Sequence, residues 1–230
     1  MATILNIETS TSVCSAALTH EGAILEHFEE FGGRNHATVL SGFIKGCLDH
    51  LRRHEMKLDA VAVSIGPGSY TGLRIGLSEA KGLAYALDVP LIGVDTLQIM
   101  AVHVMFNEVL DNPDVMFAPM IDARRMEVYT GVYSLALEPL EAPHPLILDE
   151  NSYREWLDKG EVLFFGDGSD KARKVITHPN ARFIADVNPL AVDMLALSDK
   201  AFREQRFISL AYSVPTYLKE FQATRPKPLL

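Results

Sequence analysis

Several residue types are scarce in this chain, and each scarcity excludes a class of protein. The 230 residues include two cysteines, Cys14 and Cys47, in strand-like and helix-like apolar contexts. A disulfide scaffold is therefore not expected, and both cysteines are predicted to be buried apolar residues in a reducing compartment. Basic residues are also few, with 21 Lys and Arg against 30 Asp and Glu and a formal net charge of -9. This balance disfavours a broad nucleic-acid surface, so any RNA contact is expected to be shared with a partner.

Features of membrane insertion and targeting are missing as well. The opening MATILNIETSTS carries no Lys or Arg and alternates like a strand from its third residue, which predicts neither a secretory signal nor a transit peptide. No apolar run approaches the length of a membrane span. We therefore expect a cytoplasmic protein without membrane contact. Hydrophobic residues make up 48% of the chain, enough to fill the core of one large domain or two small ones.

What the sequence does contain is one order of strands and helices that occurs twice. In the first half, three strand-like runs precede an amphipathic helix at 36–52, a strand, a helix at 71–87, a strand and a third helix. The second half repeats this βββαβαβα order, with helices at NSYREWLD, SDKARKVI and PLAVDMLALSDKAFREQ. The repetition predicts a duplicated ribonuclease-H-like, actin-type α/β fold.

Two pairs of short matching segments support the duplication. Ile7-Glu8-Thr9 matches Ile121-Asp122-Ala123 at strand ends, and Gly66-Pro67-Gly68-Ser69 matches Gly166-Asp167-Gly168-Ser169 at strand-to-helix loops. We expect an N-terminal subdomain at 1–106, a C-terminal subdomain at 107–230, a mobile tail at 223–230, and a cleft between the halves at the strand carboxyl ends.

The stretch GPGSYTGLRIGLSEAKGLA, residues 66–84, resembles a phosphate-binding loop because glycines lead into a helix. It matches neither G-x-x-x-x-G-K-[ST] nor G-x-G-x-x-G, since no lysine follows and the third glycine comes one residue late. Gly72, Gly76 and Ala80 instead recur every four residues and form a small-residue helix face. Close packing of another helix on this face is favoured, and direct phosphate contact remains the alternative.

Nucleotide or anion contact, if this chain makes it, is assigned to a small set of cleft residues. They are Glu8, Ser10, Gly68, Ser69 and Asp122. Glu8 and Asp122 follow strands and could hold Mg²⁺ through water. Alternatively, Glu8 merely caps the turn that follows it, and the sequence leaves both readings open.

Other candidate sites have weaker patterns. His50 and His54 have the i, i+4 spacing of metal ligands, but Arg52 and Arg53 lie between them, so a solvated helix end is favoured. No grouping of Ser, His and carboxylate points to a serine hydrolase. IDARRMEVY places charges around a hairpin turn, which are expected to be exposed, with anion or partner contact as the alternative.

Six segments together resemble the bacterial TsaB (YeaZ) family. They are ILNIETSTSVCSAAL, GPGSYTGLRIGLSEAKGLA, VPLIGVDTL, IDARRMEVY, GDGS and VPTYLK, which span residues 4–219. The resemblance implies a non-catalytic, actin-fold subunit of the complex that adds threonylcarbamoyl to adenosine in tRNA. It implies TsaD and TsaE as partners, tRNA contact through the complex, and a homodimer when TsaD is absent. No intrinsic cofactor is implied, although ATP or ADP is allowed at an interface shared with TsaD and TsaE.

The resemblance also assigns an interface on the first two helices. The predicted contact residues are Val39, Leu40, Phe43, Ile44, Cys47, Gly72, Leu73, Gly76, Leu77 and Ala80. Thr96 and Met100 occupy the positions of the two metal-binding histidines of TsaD-like proteins, so neither a catalytic nor a metal site is expected. The alternative function is a stand-alone glycoprotease-like hydrolase or an actin-fold phosphotransferase. Two departures from the family are Met126, where glycine is usual, and Lys219, where arginine is commoner.

Overall fold

The computed structural model of the chain describes residues 2–33 and 35–219, so the predicted mobile tail lies outside the described residues. The elements of the first half are β1 (Thr3–Glu8), β2 (Cys14–His20), β3 (Ala23–Glu30), α1 (His36–Arg53), β4 (Ala60–Gly66), α2 (Tyr70–Leu87), β5 (Leu91–Asp95) and α3 (Thr96–Asn107). Those of the second half are β6 (Met116–Asp122), β7 (Glu127–Tyr133), β8 (Pro139–Ile147), α4 (Arg154–Leu157), β9 (Val162–Phe165), α5 (Ser169–Ala172), β10 (Ala181–Phe183), a 3-10 helix (Ala191–Met194) and α6 (Leu195–Arg203).

The two sheets have the same strand order, which confirms the predicted duplication. The first sheet runs β3-β2-β1-β4-β5, and the second, taken from its β8 edge, runs β8-β7-β6-β9-β10. In each, the first strand pairs antiparallel with the second and parallel with the fourth. The fold is therefore the predicted α/β architecture. None of the helices in the described ranges is long and apolar enough to cross a bilayer.

Helices α1 and α2 form where the apolar periodicity predicts them. Leu40, Ile44 and Leu51 of α1 are buried in the core of the first sheet, as expected for a helix with one apolar stripe. Helix α2 begins after Ser69, whose hydroxyl accepts a hydrogen bond from the backbone N–H of Gly72 at 3.2 Å. It ends at Asp88, which adopts the left-handed conformation at φ 53°.

Both cysteines are buried, as predicted from their context. Cys14 lies in β2 and Cys47 in α1, and neither forms a disulfide. Burial raises the pKa of each thiol to about 12. The two side chains therefore behave as small apolar core residues at neutral pH.

The second half departs from expectation in three places. The predicted helix SDKARKVI shortens to the four residues of α5. The predicted helix NSYREWLD shortens to the single turn of α4, because Tyr153 adopts a left-handed φ of 63° that interrupts it. The last predicted helix is split into the 3-10 helix and α6, and these pack against the first sheet. Met194 and Ala201 share a buried cluster with Ile4 of β1. Residues placed by sequence in the second subdomain thus complete the core of the first.

The small-residue face of α2 is filled from within the chain, which corrects the expectation that a partner helix packs there. A Cβ on Gly72 would lie 2.1 Å from the Thr9 carbonyl oxygen, and a Cβ on Gly76 would lie 2.3 Å from Thr9 Oγ1. Thr9 Oγ1 also donates a hydrogen bond to the Gly72 carbonyl at 2.8 Å. The glycines therefore allow the connection after β1 to lie directly against the helix.

The close contact at Gly76 predicts opposite effects for two glycine substitutions in the same helix. Gly76→Ala should destabilise the chain by roughly 1–3 kcal/mol, because its methyl group overlaps Thr9. Gly82→Ala, whose added Cβ meets nothing within 4 Å, should stabilise it by up to about 1 kcal/mol through helix propensity. Urea denaturation measures both changes, and equal effects for the two variants would show that Thr9 does not constrain α2.

Candidate functional site: the cleft and the α1–α2 groove

A cleft of about 710 Å³ lies between the two halves, at the carboxyl ends of β1, β4 and β6. This is the position expected for a ligand site in a fold built from parallel strands. Four of the five predicted contact residues line it: Ser10, Gly68, Ser69 and Asp122. The fold therefore brings together residues that are more than 100 positions apart in the sequence.

Glu8 does not face the cleft, which corrects its assignment as a cleft ligand. Its side chain is fully buried, and its Oε1 accepts a hydrogen bond from the backbone N–H of Ser10. Burial raises the pKa of Glu8 from its ordinary value of 4.5 to about 7. Its Oε2 has no partner among the described residues. Glu8 thus caps the turn after β1, as in the alternative interpretation of the sequence. Of the two carboxylates Glu8 and Asp122, only Asp122 lines the cleft.

Burial of this carboxyl group makes the stability of the chain depend on pH. The folded state binds the Glu8 proton more tightly than the unfolded state, so this contribution is fully present below pH 4.5 and is lost as the pH rises through about 7. Glu8→Gln, which cannot ionise, should therefore gain melting temperature relative to wild type as the pH rises from about 5 to 8. Calorimetry measures this difference, and a difference that does not vary with pH would contradict burial of a titrating carboxyl group.

The floor of the cleft is a close contact between two backbone segments. The backbone N–H of Ser69 donates to the Ser10 carbonyl at 2.6 Å, and a Cβ on Gly68 would lie 2.3 Å from that oxygen. The Ser69 hydroxyl is occupied as the cap of α2. The Ser10 hydroxyl is buried and lacks a partner within the described part of the chain. The same hydroxyl lies close to the buried Glu8 carboxyl group, whose pKa it lowers against the larger effect of burial.

The negative charge of Asp122 is neutralised by an ion pair within the chain. Its Oδ1 lies 2.9 Å from the Lys171 ammonium group and accepts a hydrogen bond from the Arg124 backbone N–H. Its own N–H donates to Asp167 Oδ1 at 2.8 Å. Among residues 2–33 and 35–219, no cluster of three or more His, Cys, Asp or Glu side chains is arranged to hold a metal ion. The chemistry visible at this end of the cleft is ion pairing.

The C-terminal segment contributes cleft residues that sequence reasoning missed. The Thr216 N–H donates to the Ile65 carbonyl at 2.7 Å, and the Tyr217 hydroxyl accepts from Arg74 Nε at 2.9 Å. Lys219 forms an ion pair with Glu127 of β7. The segment therefore runs from the first sheet to the second along the edge of the cleft. Its motif VPTYLK was visible, but nothing in it shows what it contacts.

A second concave surface lies on the outside of the first half, between α1 and α2. This α1–α2 groove has a volume of about 900 Å³ and is lined by Ala37, Ile44, Tyr70, Thr71, Arg74, Ile75, Ser78, Glu79, Gly82, Leu83 and Ala86. Leu83 and Ile75 are half-buried, and Gly82 and Ala86 are exposed. The groove thus presents small and apolar side chains to solvent.

The predicted interface residues lie mostly on the inner side of the same two helices. Val39 and Phe43 are half-buried, and the other eight residues are buried in the chain itself. Of all ten, Ile44 alone lines the groove. Most of the predicted interface residues are therefore used by the chain's own core, because apolar periodicity identifies the side of a helix that packs on its own sheet.

Comparisons with known proteins agree with this architecture. A family model described as "TsaD: tRNA N6-adenosine threonylcarbamoyltransferase" matches residues 23–224. The Escherichia coli K12 "tRNA threonylcarbamoyladenosine biosynthesis protein TsaB" is 30% identical and covers 98% of each chain. The Bacillus subtilis protein of the same name is 32% identical over 76% of this chain and 75% of that one. The chain belongs to the TsaB family.

Solved TsaB-family structures match the whole fold. "YeaZ from Pseudomonas aeruginosa" has a TM-score of 0.79 and 30% identity, covering 95% of this chain and 100% of that one. The matching model is described as TsaD whereas the relatives are named TsaB. We assign TsaB because the Escherichia coli protein of that name matches over 98% of its length and the Bacillus subtilis one over 75%. The names of these relatives place the family in tRNA threonylcarbamoyladenosine biosynthesis.

Proposed function

We propose that this chain is a non-catalytic scaffold subunit in tRNA threonylcarbamoyladenosine biosynthesis. It binds and stabilises a TsaD-type catalytic subunit and works with TsaE. Membership of the TsaB family supports the pathway, since the relatives carry that pathway in their names. The cytoplasm, where tRNA is modified, is the expected location.

The observation that carries the scaffold role is the α1–α2 groove. Its apolar side chains lie on two adjacent helices whose inner faces are already used by the core. An exposed, mainly apolar surface bordered by polar side chains such as Arg74 and Glu79 is typical of a protein–protein contact. The match to a TsaD model over 23–224 supports a partner of the same fold. Such a partner can present equivalent helices, so the contact becomes a four-helix arrangement. A second copy of this chain takes the same place when TsaD is absent.

The position of the groove also suggests where a nucleotide would bind. Tyr70, Thr71 and Ile75 line both the groove and the cleft, so a partner on the groove borders the mouth of the cleft. Ser10 lines the cleft side of this boundary. We place ATP or ADP at an interface shared with TsaD and TsaE, rather than in a site that this chain completes alone.

A matched pair of glycine variants tests the docking surface. Gly82 of α2 lines the groove and Gly42 of α1 does not, and an added Cβ meets nothing within 4 Å at either position. Gly82→Arg should weaken binding to the TsaD-type subunit by at least about tenfold, because it places a charge in an apolar contact. Isothermal titration calorimetry with the purified subunits measures the affinity.

Gly42→Arg is the control, since it adds the same charge to an exposed helix position outside the groove. It should bind like wild type, and both variants should keep the far-UV circular dichroism of the wild-type chain. Unchanged binding of Gly82→Arg would rule out the α1–α2 groove as the docking surface.

A further inference from the structure

The hairpin between β6 and β7 carries two consecutive arginines in an unfavourable backbone conformation. Arg124 has φ 71° and Arg125 has φ 53°, both in the left-handed region. For residues other than glycine, this region costs roughly 1–2 kcal/mol per residue. Non-glycine residues held in such conformations concentrate at functional sites. The two side chains lie at the exposed tip of the turn.

Lys171 of α5 holds this turn in place. Its ammonium group donates to the carbonyl oxygens of Arg125 at 2.8 Å and Glu127 at 2.7 Å, and to Asp122 Oδ1 at 2.9 Å. The backbone N–H of Glu127 also bonds the Arg124 carbonyl at 3.2 Å. The hairpin tip is thus fixed from behind before any ligand arrives.

The carboxylates that flank the turn are already occupied by lysines. Asp122 pairs with Lys171, and Glu127 pairs with Lys219. Asp167, the third acid at this end, accepts the Asp122 N–H, and burial raises its pKa. Among residues 2–33 and 35–219, no acidic side chain pairs with either guanidinium group, even though the chain has an excess of nine acidic residues.

Within the described part of the chain, the guanidinium groups of Arg124 and Arg125 have no side-chain or backbone partner. Every other arginine in residues 2–33 and 35–219 has a guanidinium group in contact with a carboxylate, a carbonyl, a hydroxyl or an aromatic ring. Arg124 and Arg125 make only backbone hydrogen bonds. Two adjacent, exposed guanidinium groups on a backbone held in place match the chemistry of phosphate recognition.

We propose that Arg124 and Arg125 bind backbone phosphates of the RNA substrate. Arg124 lines the mouth of the cleft, whereas Arg125 does not, so the pair extends from the cleft to the outer surface. A ligand that contacts both must carry phosphates outside the cleft, which favours a polynucleotide over a nucleotide held within it. The rest of the acidic surface limits the contact to this tip. This inference rests on the proposed function, since it supplies part of the tRNA contact of that assembly.

The test compares two double variants that each remove two positive charges. Arg124→Ala/Arg125→Ala removes the unpaired arginines, and Arg52→Ala/Arg53→Ala removes adjacent arginines that pair with Asp49 and Glu26. Binding of unmodified tRNA is titrated by fluorescence anisotropy between about 50 and 200 mM salt. The titration uses the complex with the TsaD-type subunit and TsaE, and also the isolated chain at low salt. Light scattering checks that each variant assembles.

The proposal predicts at least about fivefold weaker tRNA binding for the Arg124/Arg125 variant. The slope of the logarithm of the binding constant against the logarithm of salt concentration should fall by the equivalent of roughly 1–2 phosphate contacts. The Arg52/Arg53 control should match wild type. Equal binding by both variants overturns the inference while leaving assembly, and with it the proposed function, intact. If the wild-type chain fails to assemble, the proposed function fails, and the titration of the isolated chain still decides the arginines. The inference is also overturned if the Arg124/Arg125 variant loses Mg-ATP binding but keeps tRNA binding. The two arginines would then bind the phosphates of a nucleotide.

Discussion

The contact between Thr9 and the glycine face of α2 is the constraint on which the rest of the structure depends. Thr9 follows β1, and its hydroxyl bonds the Gly72 carbonyl while its side chain fills the space above Gly76. This contact brings the N-terminus of α2 onto the carboxyl end of β1 and so defines one wall of the cleft. Because the inner face of α2 is used in this way, only its outer face is open to a partner.

The cleft and the groove are consequences of the same helix position. The N-terminal turn of α2 borders the cleft, and its outer surface borders the groove, so Tyr70 and Thr71 belong to both. The ion pairs at the opposite wall, formed by Lys171 and Lys219, tie the β6–β7 hairpin to α5 and to the C-terminal segment. The groove thus offers an apolar surface to a partner, and the hairpin at the neighbouring cleft mouth carries exposed arginines on a backbone that Lys171 holds in place.

The sequence predicted the architecture well because the repeated order of elements and the apolar periodicity of each element can both be read from the residues alone. Helix α1 begins at the predicted residue, and the repeated order of elements led to the correct pair of sheets. The site was predicted less well, since its contacts join distant residues. The spacing of Gly72 and Gly76 shows a small-residue face but not that Thr9, more than 60 residues earlier, fills it. Likewise, IDARRMEVY shows two arginines in a turn. It does not show that the neighbouring Asp122 and Glu127 pair with Lys171 of α5 and with Lys219, which are distant in the sequence.

The most direct test of the account is a structure of the chain bound to its TsaD-type partner, with the solvent exposure of α2 measured residue by residue. We expect Gly82 and Leu83 to become buried under the partner's helices while Gly76 stays in contact with Thr9. A complex in which the partner binds another surface and leaves the α1–α2 groove exposed would contradict the central claim.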